Sequence, residues 1–150
     1  MNSKKNELLN MIKIVENQTL SNIIQSVEER AQITYEAMKR RTRRREIVQA
    51  RMMCYALIRE FMPHMTLIEI GAEFGGYDHT SVRHGIITVK DLEDVDKWTR
   101  EAMEDCRTRI AELERGNLEF DINSSSGLAL AQFMEFETQN VRAARLHRLV

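Results

Sequence analysis

Residues 74 to 84 read FGGYDHTSVRH, a stretch with two glycines, an acid, two histidines and two hydroxyl side chains. Such types could build a nucleophilic triad, a metal site or a polar surface that reads a partner, and spacing separates the three. Asp78, His79 and Ser81 have the chemistry of a triad but fall within one helical turn. Neighbours at i and i+1 on a helix point in different directions, so Asp78 cannot orient His79 against Ser81. His79 and His84 stand about 500° apart along a helix, which leaves them roughly 140° apart around it. The i, i+4 geometry of a helical two-histidine site is therefore missing, and the chain has no CxxC, HExxH or GxxxxGK[ST]. No enzyme activity, metal, nucleotide or other cofactor is expected. A reading surface is what the layout suits.

The elements that must present this stretch are helical. Among 150 residues there are one proline, six glycines and nine methionines, with 30% charged residues, which implies an all-α protein. Residues 4 to 40 carry Leu8, Ile12, Val15, Leu20, Ile23, Ile24, Val27, Ala31, Tyr35 and Met38 at spacings of mostly three and four, the pattern of one long helix. It either packs on the rest of the protein or pairs with itself, although the five-step from Val15 to Leu20 breaks a heptad. KRRTRRR (39 to 45) then places six basic residues in seven. A second helix is expected at about 47 to 61, ending near Pro63. A third begins at Thr66, where TLIE has capping-box spacing, and stops at Gly75 and Gly76. A fourth starts at Asp78, a helix-capping type, and runs to about residue 90.

From 92 to 113 the apolar positions Leu92, Val95, Trp98, Ala102, Met103, Cys106, Ile110 and Leu113 form a further helical stripe. Residues 91 to 121 are acidic, with eleven Asp+Glu against five Lys+Arg, so the formal net charge of −1 hides segregation. NSSSG (123 to 127) reads as a hinge, and 128 to 149 as a last amphipathic helix. The expected division is 1–43, a helix and basic stretch; 44–115, the central domain; 116–127, a linker; and 128–150, the terminal helix. Cys54 and Cys106 sit in apolar helical patterns, which favours packing in a reduced, cytoplasmic compartment. No stretch reaches the roughly 18 apolar residues of a membrane span, and no signal-peptide pattern opens the chain.

Two helices, 66–74 and 78–90, joined by a glycine-containing turn make a helix-turn-helix. Gly71 supplies the small residue for close approach, while Val82 and Ile86 face inward with Ile70 and Phe74. Tyr77, Asp78, His79, Thr80 and Ser81 are left at the exposed start of the second helix. In such motifs these residues meet base edges in the major groove. Aspartate accepts from a cytosine amine, threonine touches a thymine methyl, and histidine can do either. The upstream Arg43, Arg44 and Arg45 supply charge for phosphates, which carry most of the affinity.

The text RREIVQARMMCYALIRE followed by LIEIGAEFGGYDHTSVRH resembles the C-terminal DNA-binding domain of the bacterial chromosomal replication initiator DnaA, over residues 44 to 89. In that family a helix ending in Phe-Gly-Gly-x leads to Asp-His-Thr-Thr-Val. The resemblance implies a helical domain that binds DnaA-box-like duplex through a recognition helix and a basic loop. It puts Asp78, His79 and Thr80 on base-reading positions, with Ser81 in place of a threonine. Tyr77 stands where many members have a basic phosphate-contacting residue. Gln49, followed by Ala50, stands where the family often has a minor-groove arginine and proline, and Arg51 matches the next arginine. Ile87 and Thr88 replace a common basic pair, while Arg83 adds a charge one turn into the helix. The initiator's nucleotide-binding module has no counterpart in the sequence, and a helix of about 40 residues stands in its place. The expectation is a stand-alone protein, of the kind a phage or mobile element carries, with no ATPase activity.

The function that follows is sequence-specific double-stranded DNA binding at DnaA-box-like sites, regulating replication initiation or nearby transcription on the nucleoid. The reading from a different class is a protein-interaction adaptor that keeps the helix-turn-helix as scaffold. In either case the terminal helices are expected to pair with a second copy or with a protein partner.

Overall fold

The computed structural model describes the backbone of residues 2–122 and the side chains of residues 2–117. Six helices follow one another: α1 (Asn2–Ala31), α2 (Tyr35–Lys39), α3 (Arg45–Phe61), α4 (Leu67–Glu73), α5 (His79–Val95) and α6 (Lys97–Ile122), with no strand among the described residues. The expected hinge at 123–127 and helix at 128–149 lie outside the described residues. A boundary between two compact units falls at Ala111/Glu112, and everything described below as core or site belongs to the first.

α3 is the central helix. Its residues 50 and 51 and 53 to 58 are all buried, so it is covered nearly all round, as a helix at the middle of a bundle must be. Ile23 and Val27 of α1, Met38 of α2, Ile70 of α4, Phe74 just after it, Val82 and Val89 of α5, and Met103, Cys106 and Ile110 of α6 are fully buried in the same core. That core runs across the 43/44 boundary drawn from the sequence. The ring of Phe74 packs edge-on against Tyr35 and Tyr55, at centroid distances of 5.6 and 5.3 Å.

The single helix expected over 4–40 is two helices. Gln32 takes the left-handed φ of 57°, and its side chain donates to the Glu29 carbonyl (2.7 Å), satisfying one of the last carbonyls of α1. Thr34 then starts α2 by accepting from the Ala37 N–H at 3.2 Å. Apolar spacing could not show the break, because Ala31, Tyr35 and Met38 keep their three- and four-residue steps across it.

A second correction concerns α5 and α6. α5 continues to Val95 rather than ending near 90, and Asp96 separates it from α6. Asp96 Oδ2 accepts from the Thr99 N–H (3.0 Å) and from the Thr99 hydroxyl (2.6 Å), an N-cap that restarts the helix in a new phase. Val95 and Trp98, placed in one apolar stripe by their spacing, are instead 81% and 44% exposed. Ala102, Met103, Cys106 and Ile110 keep the buried stripe. Arg107 ties α6 to its neighbours through ion pairs with Glu60 on α3 (3.1 Å) and Glu93 on α5 (3.1 Å), and pairs within α6 with Glu104 (3.0 Å). Both cysteines are free and buried; burial pushes the Cys106 thiol up to about 11 and the Cys54 thiol well above its ordinary value. Neither is a ready nucleophile, which agrees with a packing role.

Candidate nucleic-acid interface

Local capping builds the helix-turn-helix. Thr66 accepts from the Glu69 N–H at 3.2 Å and starts α4. α4 closes on itself: the Gly71 carbonyl accepts from the N–H groups of Gly76 (3.0 Å) and Tyr77 (3.1 Å). A Cβ on Gly71 would run into the Tyr77 carbonyl, so only glycine lets the turn fold this close beneath α4. Asp78 Oδ1 then accepts from the Ser81 N–H at 2.7 Å and caps α5. That backbone N–H is also the main reason the Asp78 carboxyl is held below its ordinary range. Val82 and Ile86 are buried with Ile70 and Phe74, so the side chains of His79, Thr80, Ser81, Arg83 and His84 are left exposed.

The basic segment lies against this turn. Gly75 has φ 97°, and a Cβ there would meet the Lys39 carbonyl, so the two backbones touch. Arg41 Nη2 donates to the Gly76 carbonyl at 3.4 Å. The Tyr77 ring lies between two guanidinium groups, Arg41 at 4.9 Å and Arg51 at 4.5 Å from its centroid, and its hydroxyl donates to the Arg40 carbonyl (3.4 Å). Beyond this knot Arg43, Arg44 and Arg45 are exposed. Arg45 lies near enough to Asp96 to help hold that carboxyl low, although the hydrogen bond from the Thr99 hydroxyl does more.

Three residues expected to touch nucleic acid make contacts within the protein. Arg51 is only 5% exposed; its Nε donates to the Met38 carbonyl (2.6 Å) and its Nη2 to the Arg40 carbonyl (2.7 Å). Both donations fix residues 38–40. Tyr77 is half-buried between arginines and fixes the same segment from the other side. Gln49 is half-buried as well, and its Nε2 donates to the Thr99 hydroxyl (3.1 Å), so the amide donor expected in a minor groove is engaged within the protein. Arg41, which was not singled out, belongs to the knot. Nothing in the local sequence distinguishes it from its basic neighbours. Among the described residues no group of three His, Cys, Asp or Glu could hold a metal ion, and no helix is long and apolar enough to cross a membrane.

Residues 20–89 match the family described as the bacterial dnaA protein helix-turn-helix. This part of the chain is similar to that family. Over 78 residues the chain is 36% identical to the chromosomal replication initiator protein DnaA of Bdellovibrio bacteriovorus; the match covers 52% of this chain and 16% of that protein. The DnaA-type match reaches back to residue 20, earlier than the 44 at which the quoted motifs begin. It takes in the second half of α1 and all of α2, the elements whose Ile23, Val27 and Met38 complete the core beneath the helix-turn-helix.

Proposed function

We propose that the DnaA-type domain binds duplex DNA sequence-specifically at DnaA-box-like sites, and so regulates replication initiation or nearby transcription on the nucleoid. The observation that carries this reading is the fixed juxtaposition of an exposed α5 start with a basic segment knotted to the turn before it. In the proposed complex Asp78, His79, Thr80 and Ser81 enter the major groove and read base edges. Arg43, Arg44, Arg45 and Arg83 meet phosphates, which position the domain and supply the salt-dependent part of the affinity. Arg51 and Tyr77 act one step back, holding the basic segment in register with α5.

A titration of the purified chain against box-bearing and scrambled duplexes tests this. The wild-type protein should prefer the box. His79→Ala should narrow that preference by about 1–3 kcal/mol with little change on scrambled duplex, since a base contact discriminates and a phosphate contact does not. Arg45→Ala should weaken both complexes together. Equal affinity of the wild type for the two duplexes would sink the proposal and move the adaptor reading ahead.

A further inference from the structure

The first half of α1 buries no residue in the core. No residue of α1 before Asn22 is buried, and the family match begins only at residue 20. Yet Leu8, Leu9, Ile12 and Ile14 are 48%, 51%, 42% and 62% exposed. By helical periodicity Leu8, Ile12 and Val15 stand on the side of the helix that further along buries Ile23 and Val27 in the core. The apolar face thus continues past the body of the protein. A helix of this length without packing is marginal in water, because helical stability comes mostly from burying such a face.

What could cover it is written at the two ends of the overhang. At its base, α1 and α4 enclose a groove of about 300 Å³ with an apolar floor of Leu20, Met62 and Met65 and acidic walls of Glu16, Glu69 and Glu73. Glu16 Oε1 lies 3.0 Å from His64 Nε2 there, a contact between α1 and the body. At its tip stand Lys4 and Lys5, both exposed. Two copies of α1 laid antiparallel with Leu8 of one against Ile12 of the other bring Lys4 of each level with Glu16 of its partner, at the mouth of that groove.

We propose that the overhanging half of α1 is a homodimer surface, paired antiparallel about a two-fold axis, with Lys4 and Lys5 of each copy seated in the acidic groove of the other. Residues Leu8 to Val15 supply the apolar seam. The axis makes both acidic grooves equivalent, so the interface closes on itself and does not propagate. The pairing does not require DNA to be bound.

Sedimentation equilibrium of the full chain across the micromolar range should show a monomer–dimer equilibrium. Ile12→Lys should raise its dissociation constant about a hundredfold or more, because each copy loses a buried apolar side chain. Helical circular dichroism and thermal unfolding of the isolated variant should report an intact fold, since Ile12 is 42% exposed within one chain. Two charge-reversed proteins, Lys4→Glu with Lys5→Glu and Glu16→Lys with Glu69→Lys, should each self-associate weakly. Mixed together they should pair more tightly than either alone, since every charge then meets its opposite. A wild-type chain that stays monomeric overturns the proposal. So does a dimer that Ile12→Lys leaves intact, which would put the pairing elsewhere or the face under another occupant. A mixture no tighter than its components overturns the antiparallel seating.

Discussion

Asp78 combines two tasks, capping α5 through Ser81 and, in the proposed complex, accepting from a base. Its folded-state pKa is lowered, so the cap stabilises the protein above the ordinary carboxyl range and is lost as pH falls through the lowered value. Asparagine caps as well as aspartate but does not titrate there. Asp78→Asn should therefore fold like the wild type at neutral pH, while its urea midpoint should fall less steeply on acidification. Its base preference should change, because an amide donates as well as accepts. Identical acid profiles for the two proteins would remove Asp78 from the list of titrating caps. This residue was legible in the sequence because capping and exposure at a helix start are local properties. Arg51 and Tyr77 were not, because their neighbours depend on the path taken by residues 38–41. An arginine in a sequence reads as a surface charge until the carbonyls of Met38 and Arg40 are placed beside it.

At the scale of elements, the caps at Thr66 and Asp78 and the paired glycines gave away the helix-turn-helix, since each satisfies backbone groups of its own neighbourhood. The breaks at Gln32 and Asp96 escaped because apolar steps ran through both. The cap pairing Asp96 with Thr99 was present in the text, outweighed by a stripe that counted Val95 and Trp98. The close packing under Gly71 leads to a test of the turn. A Cβ at Gly71 meets backbone at the Tyr77 carbonyl, which cannot swing aside as a flexible side chain can, whereas a Cβ at Gly76 meets nothing within 4 Å. Gly71→Ala should cost about 1–3 kcal/mol or more in urea unfolding, the range for overpacking. Gly76→Asn should cost far less, since φ 82° is a conformation that asparagine tolerates. Comparable losses at the two positions would mean that the turn has room to relax and that the close approach does not set its shape.

For the whole molecule, charge placement outweighs net charge. A formal net charge of −1 suggests no affinity for a polyanion. However, five acidic side chains are matched within the fold: Arg107 meets three glutamates, Arg30 pairs with Asp105 at 2.9 Å, and Arg109 with Glu29 at 2.8 Å. Exposed Arg43, Arg44 and Arg45 stand apart from those pairs, beside the proposed reading helix. At distances beyond a Debye length of about 8–10 Å the acidic regions are screened at physiological salt, so DNA should feel the basic flank and not the total. The logarithm of the DNA association constant should then fall linearly with the logarithm of salt concentration. Each phosphate neutralised contributes roughly 0.9 to that slope. Replacing Arg43, Arg44 and Arg45 together by alanine should flatten it by roughly three if all three meet phosphate, on box and scrambled duplex alike. On each duplex the wild-type and triple-variant lines should converge toward high salt, while base reading by α5 keeps box and scrambled duplex apart. A wild-type slope near zero, or one the triple substitution leaves unchanged, would show that these arginines are a solvated face and that the duplex is held elsewhere.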